Sequence, residues 1–183
     1  MASAKARAGL GLIPTRLWGV GPLWRAPFEP ADMAARLRDV HTPYHAAIGQ
    51  ALAAAQSRWG SALLVDLHSM PPVKGDDGPD IVIGDRFGGS ASSQLTATAE
   101  TCLKAMGFRV AINAPYAGGY VVSRHAKPHR NIHALQIEVD RQLYLDTALD
   151  QPGPGLARMQ RAIRQLVESL TDELTAGIAQ AAE

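Results

Sequence analysis

The sequence predicts a layered α/β domain with helices on both faces of a sheet. Three observations carry that reading. Short apolar runs such as Leu63-Leu64-Val65 and Ile81-Val82-Ile83 have the length and branching of buried strands. Between them lie segments whose apolar residues recur at three- and four-residue spacing, as helices do. Glycine and proline punctuate the joins, at Gly60, Pro71-Pro72, Gly107 and Pro115. At 183 residues the chain fits one domain, 1–183, with enough length to bury a real core.

Residues 7 to 30 hold Gly9, Gly11, Pro14, Gly19, Gly21, Pro22, Pro27 and Pro30 beside Trp18 and Trp24. Turn residues mixed with large rings read as a loop packed against something, not as a free tail. Asp32 is expected to cap a helix over 33–40, with Met33, Leu37 and Val40 on one face. Pro43 restarts a helix whose stripe of Tyr44, Ile48, Leu52, Ala55 and Trp59 runs to Gly60. The first sheet strand follows at 62–68, then a loop over Gly75–Pro79 and a short strand to Gly84. Ser90 to Ser93 open a helix to about Met106, with Leu95, Ala99, Cys102 and Leu103 inward, and Gly107 stops it. Residues 108–112 make the next strand, and Pro115, Gly118 and Gly119 a loop. Residues 120–123 read as an edge strand, 133–139 as a central strand and 156–178 as the closing helix.

Hydrophobic residues make up 46% and charged ones 19%, a folded composition with nothing disordered about it. A formal charge of +1 and scattered arginines give no pull toward nucleic acid. No apolar run approaches the eighteen or so residues that a bilayer span needs. The single cysteine, Cys102, excludes an internal disulfide framework and sits on an apolar helix face as a buried thiol. The first seven residues lack a hydrophobic targeting core, so a cytoplasmic home is the default expectation.

The residues able to do chemistry stand at strand ends. Leu63-Leu64-Val65-Asp66-Leu67-His68-Ser69-Met70 is an apolar strand ending in an acid, an imidazole and a hydroxyl before Pro71-Pro72. Open α/β sheets place ligands at such carboxyl edges. His68 can bind zinc there, with Asp66 on the same strand face orienting the other ring nitrogen. Alternatively, His68 merely hydrogen-bonds a loop. Along Leu135-Gln136-Ile137-Glu138-Val139, alternation puts Gln136, Glu138 and Asp140 on one face. A carboxylate on a buried strand needs a partner. Glu138 is thus either a general base or half of a structural pair with Arg141 or Arg124. Arg124 and Arg141 could hold a substrate carboxylate with their guanidinium forks, and Arg86 and Arg109 are less compelling. Asn113, Tyr120 and the Gly118-Gly119 pair follow a strand end, where a backbone can approach a ligand closely. His125, His129 and His133 recur every four residues, but Pro128 argues against one helix. Ser69 lacks the Gly-x-Ser-x-Gly surroundings of a nucleophile. No phosphate-binding loop, dinucleotide fingerprint or Cys-x-x-Cys occurs.

Taken in order, several stretches resemble the N-formylglutamate amidohydrolase family. They are Arg7-Ala8-Gly9-Leu10-Gly11-Leu12-Ile13-Pro14, Thr42-Pro43-Tyr44-His45, Leu64-Val65-Asp66-Leu67-His68-Ser69-Met70-Pro71, Asp80-Ile81-Val82-Ile83-Gly84-Asp85, and His133 through Tyr144. The resemblance implies a three-layer α/β/α fold around a central mixed, mostly parallel sheet of the phosphorylase/hydrolase-like kind. It implies zinc-dependent hydrolysis of an N-formyl or similar N-acyl amino acid, such as N-formyl-L-glutamate in histidine breakdown. His68 would be a metal ligand, Glu138 the general base and then proton donor, and Arg141 an anchor for the substrate carboxylate or for Glu138. Relatives carry an earlier segment whose histidine and acid complete the metal site. Here Met1 stands almost at the Gly-Leu-Gly-Leu-Ile-Pro stretch and no His-x-x-Glu occurs, so an N-terminally truncated domain is expected. An inactive scaffold of the same fold is the competing reading.

Overall fold

The computed structural model describes residues 11, 13–17, 20–26, 29–73 and 78–181, with side chains to 177. The chain gathers into two compact units, 1–46 and 47–183. Residues 7–10, Leu12, Trp18, Gly19, Pro27 and Gly75–Asp77, all drawn on above, lie outside the described residues.

In the first unit, β1 (Arg16–Leu17) and β2 (Gly21–Pro22) form an antiparallel ribbon. Trp24 Nε1 donates to the Pro14 carbonyl at 2.7 Å, and the Arg36 guanidinium lies 5.5 Å from the centroid of its ring. Helix α1 spans Pro30–Arg36. It starts before the expected cap at Asp32 because Pro30, with its fixed φ and no N–H to satisfy, suits the first helical turn. The predicted break before Pro43 is absent. Pro43 cannot donate to the ladder, and a π-helical stretch, Leu37–His41, bridges the gap with Thr42 N–H donating to the Leu37 carbonyl. Helix α2, Thr42–Trp59, continues directly.

The second unit holds the sheet. Strand β3 (Ala62–Met70), β4 (Ile81–Gly84), β5 (Val110–Ile112) and β6 (Ile132–Asp140) lie in the order β3-β6-β4-β5. The β3–β6 and β4–β5 pairs are parallel and the β4–β6 pair antiparallel, so the sheet is mixed and mostly parallel. Helices α3 (Ser93–Ala105) and α5 (Leu156–Ala181) cover one face. There Leu95, Ala99, Leu103, Met159, Leu166 and Leu170 bury Ile81, Ile83, Leu135, Ile137 and Val139. On the opposite face Leu52, Ile48 and Ala55 of α2 pack on Ala62, Leu64 and Ile132.

Helix α4, Tyr120–His125, replaces the edge strand expected over 120–123. Two adjacent valines favour a strand locally, but the buried pair here is Val122 and His125, three positions apart, which only a helix puts on one side. Cys102 is half-buried, with the Ser169 hydroxyl donating to its Sγ at 3.4 Å. Tyr44 and Trp59, at the ends of the expected α2 stripe, are exposed. No helix among the described residues is long and apolar enough to cross a membrane.

Candidate active site

Because β3 and β6 run parallel in the register Asp66–Gln136 and His68–Glu138, each pair projects from one face of the sheet. Neighbouring backbones there are about 5 Å apart. His68 and Glu138 therefore emerge side by side. Their surroundings differ. The Glu138 side chain is buried, whereas the His68 imidazole is nearly half exposed at the sheet edge.

His68 Nε2 lies 3.0 Å from Asp66 Oδ1. The other carboxylate oxygen, Asp66 Oδ2, is buried with no hydrogen-bond partner. An orphaned buried acceptor costs about 1–3 kcal/mol, more when charged, so this atom marks a position suited to a donor or a cation.

Glu138 Oε1 accepts from Gln136 Nε2 at 2.8 Å, and Gln136 Oε1 in turn accepts from the Gly119 N–H at 2.6 Å. The partner of the buried glutamate is this amide, not Arg141 or Arg124. Arg141 Nε instead donates to Ser69 Oγ at 3.2 Å. Ser69 alternates to the face opposite His68, so the two form no nucleophile–base pair. Gly84 on β4 stands opposite Gln136, and the 116–118 loop crosses directly over it. A Cβ at Gly84 would lie 2.7 Å from Gly118 N and 2.8 Å from the Ala117 carbonyl carbon, closer than backbone atoms tolerate.

Two hydrogen bonds tie Asn113 to Asp85: Asn113 Nδ2 donates to Oδ1 at 2.7 Å, and Asp85 N–H donates to Asn113 Oδ1. Thr96 Oγ1 and the Gly88 N–H donate to the same carboxylate. Burial alone would raise the Asp85 pKa, but the donors from Asn113, Gly88 and Thr96 outweigh it and hold the carboxyl below its ordinary range. Arg124 Nη1 donates to the Tyr120 hydroxyl at 2.6 Å with its guanidinium 5.7 Å from that ring's centroid, one turn along the exposed side of α4. Arg109 is paired with Asp80 at 2.7 Å, and Arg86 reaches the Gly118 carbonyl. The three regularly spaced histidines part company. His125 ends α4, His129 lies in a 3₁₀ turn (Pro128–Arg130), and His133 sits on the β6 face opposite Glu138. Burial lowers the His133 pKa.

A sequence model described as N-formylglutamate amidohydrolase matches residues 2–145. The chain belongs to that family. Within the N-formylglutamate amidohydrolase family, an N-formylglutamate deformylase of Pseudomonas aeruginosa is 34% identical over 172 residues. The match takes in 89% of this chain and 65% of that enzyme. A second, from Pseudomonas putida, is 28% identical and matches 77% of this chain and 55% of its own length. The crystal structure of an N-formylglutamate amidohydrolase from Ralstonia eutropha superposes with a TM-score of 0.83 at 29% identity, over 94% of this chain and 64% of that one. A gene product of Agrobacterium tumefaciens shares the fold, with a TM-score of 0.66 at 18% identity. The chain thus spans just under two thirds, or less, of these relatives' lengths.

The family resemblance raises the question of zinc, and the donors around Asp66 test it. Imidazole and carboxylate are zinc ligands, and Asp66 Oδ2 is an unused acceptor. A catalytic zinc takes three protein ligands, however, and among the described residues no three His, Cys, Asp or Glu side chains gather closely enough to hold a metal ion. The described residues do not complete such a site.

Two features escaped the sequence reading. Gln136 was placed on the right face, but its link to Gly119 was not foreseen, although an amide two positions before a buried glutamate was the available signal. The clamp on Asp85 joins residues far apart in the chain and gave none.

Proposed function

We propose that this chain carries hydrolytic machinery for the amide of an N-formyl, or similar N-acyl, amino acid such as N-formyl-L-glutamate. The observation that supports it is the in-register placement of His68 and Glu138 on adjacent strands, with Asp66 and Gln136 sharing their face. The deformylase relatives supply the substrate class.

Glu138 accepts a proton from a water held against the sheet face, and the water oxygen attacks the formyl carbonyl carbon. Collapse of the tetrahedral adduct breaks the C–N bond, and the leaving amine takes the proton from Glu138. Formate and the free amino acid result. Gln136 anchors one oxygen of Glu138 and leaves the other to move the proton. Asp66 fixes the His68 ring by its contact at 3.0 Å, so that the imidazole can serve as a ligand or a donor to the carbonyl. Zinc remains the ion this pair suits, with further ligands from outside the described residues of one chain.

Carboxylates on the substrate are matched by Arg124, already oriented by Tyr120; Arg141, bound to Ser69 on the face opposite His68, is not placed to share that role. Asn113 acts by holding the loop that leads to Gly118 and Gly119, since both ends of its amide are engaged by Asp85. The test is formate release from N-formyl-L-glutamate by the purified chain, with zinc present and absent, beside Glu138→Gln. A roughly 10²–10⁴-fold loss in the variant supports the general base. Equal turnover in both proteins refutes the role of Glu138, and no turnover in either favours the inactive scaffold.

A further inference from the structure

Three successive residues just after β4 stand in the left-handed region: Arg86 at φ +55°, Phe87 at +57° and Gly88 at +79°. Residues with a Cβ seldom hold that conformation unless their surroundings over-determine it, and such outliers gather at functional sites. Burial is not what holds them, since Arg86 is exposed and Phe87 is 81% exposed. The Asp85 carboxylate does so by accepting the Gly88 N–H at 3.0 Å, while Asn113 Nδ2 and Thr96 Oγ1 keep it in place. The turn aims the backbone and the guanidinium of Arg86 at one loop. Its N–H donates to the Ala117 carbonyl at 2.8 Å and its Nη1 to the Gly118 carbonyl at 3.3 Å. There is no slack in the packing: a Cβ on Gly118 would lie 3.1 Å from Arg86 Cγ and 2.8 Å from Val122 Cγ2.

The Gly118 oxygen and the Gly119 N–H are opposite ends of one planar peptide group. Arg86 grips one end of that plane, and Gln136 Oε1, at 2.6 Å, takes the other. Gln136 Nε2 then donates to Glu138 Oε1 at 2.8 Å. We propose that Arg86 is a positioning residue for Glu138, acting through the Gly118–Gly119 peptide and Gln136. A cationic donor on the peptide oxygen fixes the plane and polarises its N–H, which strengthens the next bond in the chain. Without it the plane is free to tilt, Gln136 loses the bond that orients its amide, and the Glu138 carboxylate loses a fixed donor. The effect on turnover rests on the hydrolytic reading of Glu138, whereas the chain of hydrogen bonds does not. The guanidinium reaches the oxygen through Nη1 alone. Lysine, a point-charge donor on a long stem, can therefore stand in for it, while methionine keeps the stem and removes the donor.

The test compares Arg86→Met and Arg86→Lys with the parent chain, first by NMR of the Gly119 backbone amide and the Gln136 side-chain amide. In Arg86→Met both proton signals should move upfield, and Gly119 should exchange with solvent roughly tenfold faster, as the loss of one hydrogen bond implies. Amides of α3 should stay as in the parent, and Arg86→Lys should restore both signals. A residue that merely braces the loop would move Gly119 and leave the Gln136 amide unchanged, and that result overturns the proposal. So does an Arg86→Lys protein that behaves like Arg86→Met. In formate release, kcat should fall roughly ten- to a hundredfold in Arg86→Met at constant KM, because a slightly misplaced reacting group is costly. A raised KM with kcat intact would make Arg86 a substrate contact and overturn its positioning role. A parent chain that releases no formate would sink the hydrolytic reading alone, and the two amide signals would then decide this one.

Discussion

Replacing Gln136 by leucine tests whether the amide is what allows a carboxylate to be buried on β6. The substitution roughly preserves volume and removes two hydrogen bonds, to Glu138 Oε1 at 2.8 Å and from Gly119 N–H at 2.6 Å. A bond to a charged acceptor contributes about 1.5–3 kcal/mol, and leaving the half-buried Gly119 N–H unpaired costs about 1 kcal/mol or more. The expected destabilisation is therefore about 3 kcal/mol. With a urea m-value of about 2 kcal/mol/M for a chain of this size, the unfolding midpoint should fall by about 1.5 M. The double variant Gln136→Leu/Glu138→Leu sharpens the test. With the carboxylate gone there is nothing left to orphan, so the double variant should cost at least about 1 kcal/mol less than the sum of the two singles. A midpoint shift below about 0.5 M, or strictly additive single effects, would refute the reasoning, because Glu138 would then be held by something other than Gln136.

Gly84→Ala should destabilise by about 1–3 kcal/mol by overpacking, since its methyl meets Gly118 and Ala117 backbone rather than a side chain able to yield; an unchanged urea midpoint would show that the 116–118 loop moves freely. For Asp85 the sign follows from a folded-state pKa held below the ordinary value of its carboxyl group. Its stabilisation is complete above the unfolded pKa and is lost as pH falls through the lower, folded value. Asp85→Asn should thus lower the urea midpoint most near pH 6–7, with the gap to the parent closing below about pH 4; a gap independent of pH would remove the carboxylate's charge from the explanation.

The layered architecture, and which residues share a face within each strand, could be read from the sequence because strand alternation is a local rule. Asp66 and His68 must share a face wherever β3 lies, and so must Gln136 and Glu138. That the two pairs meet in register depends on which strands become neighbours, which no local pattern states. The partners of the charged groups were harder still. Arg141 turns to Ser69 because parallel pairing brings the ends of β3 and β6 together, not because of anything near either residue in the chain. The Gly119–Gln136 contact was hidden by reading 120–123 as a strand, since the helix that actually starts there sets the direction of the Gly119 N–H. At Pro43 the sequence signalled a broken ladder correctly, but a wider turn repaired the break without ending the helix.

The strand order β3-β6-β4-β5 has a consequence for how the chain comes to be folded. Strand β6 is the last of the four along the polypeptide, yet it lies inside the sheet, and Ala62 finds its partner only at Ile132. During synthesis β3 must wait for this partner until residues 132–140 emerge, while β4 and β5 can already associate. Such late, long-range pairing slows folding and prolongs the exposure of apolar strands to other chains. The same event that zips β3 to β6 brings His68 beside Glu138, so no earlier intermediate holds these two side chains together, and chaperone demand should peak just before they meet.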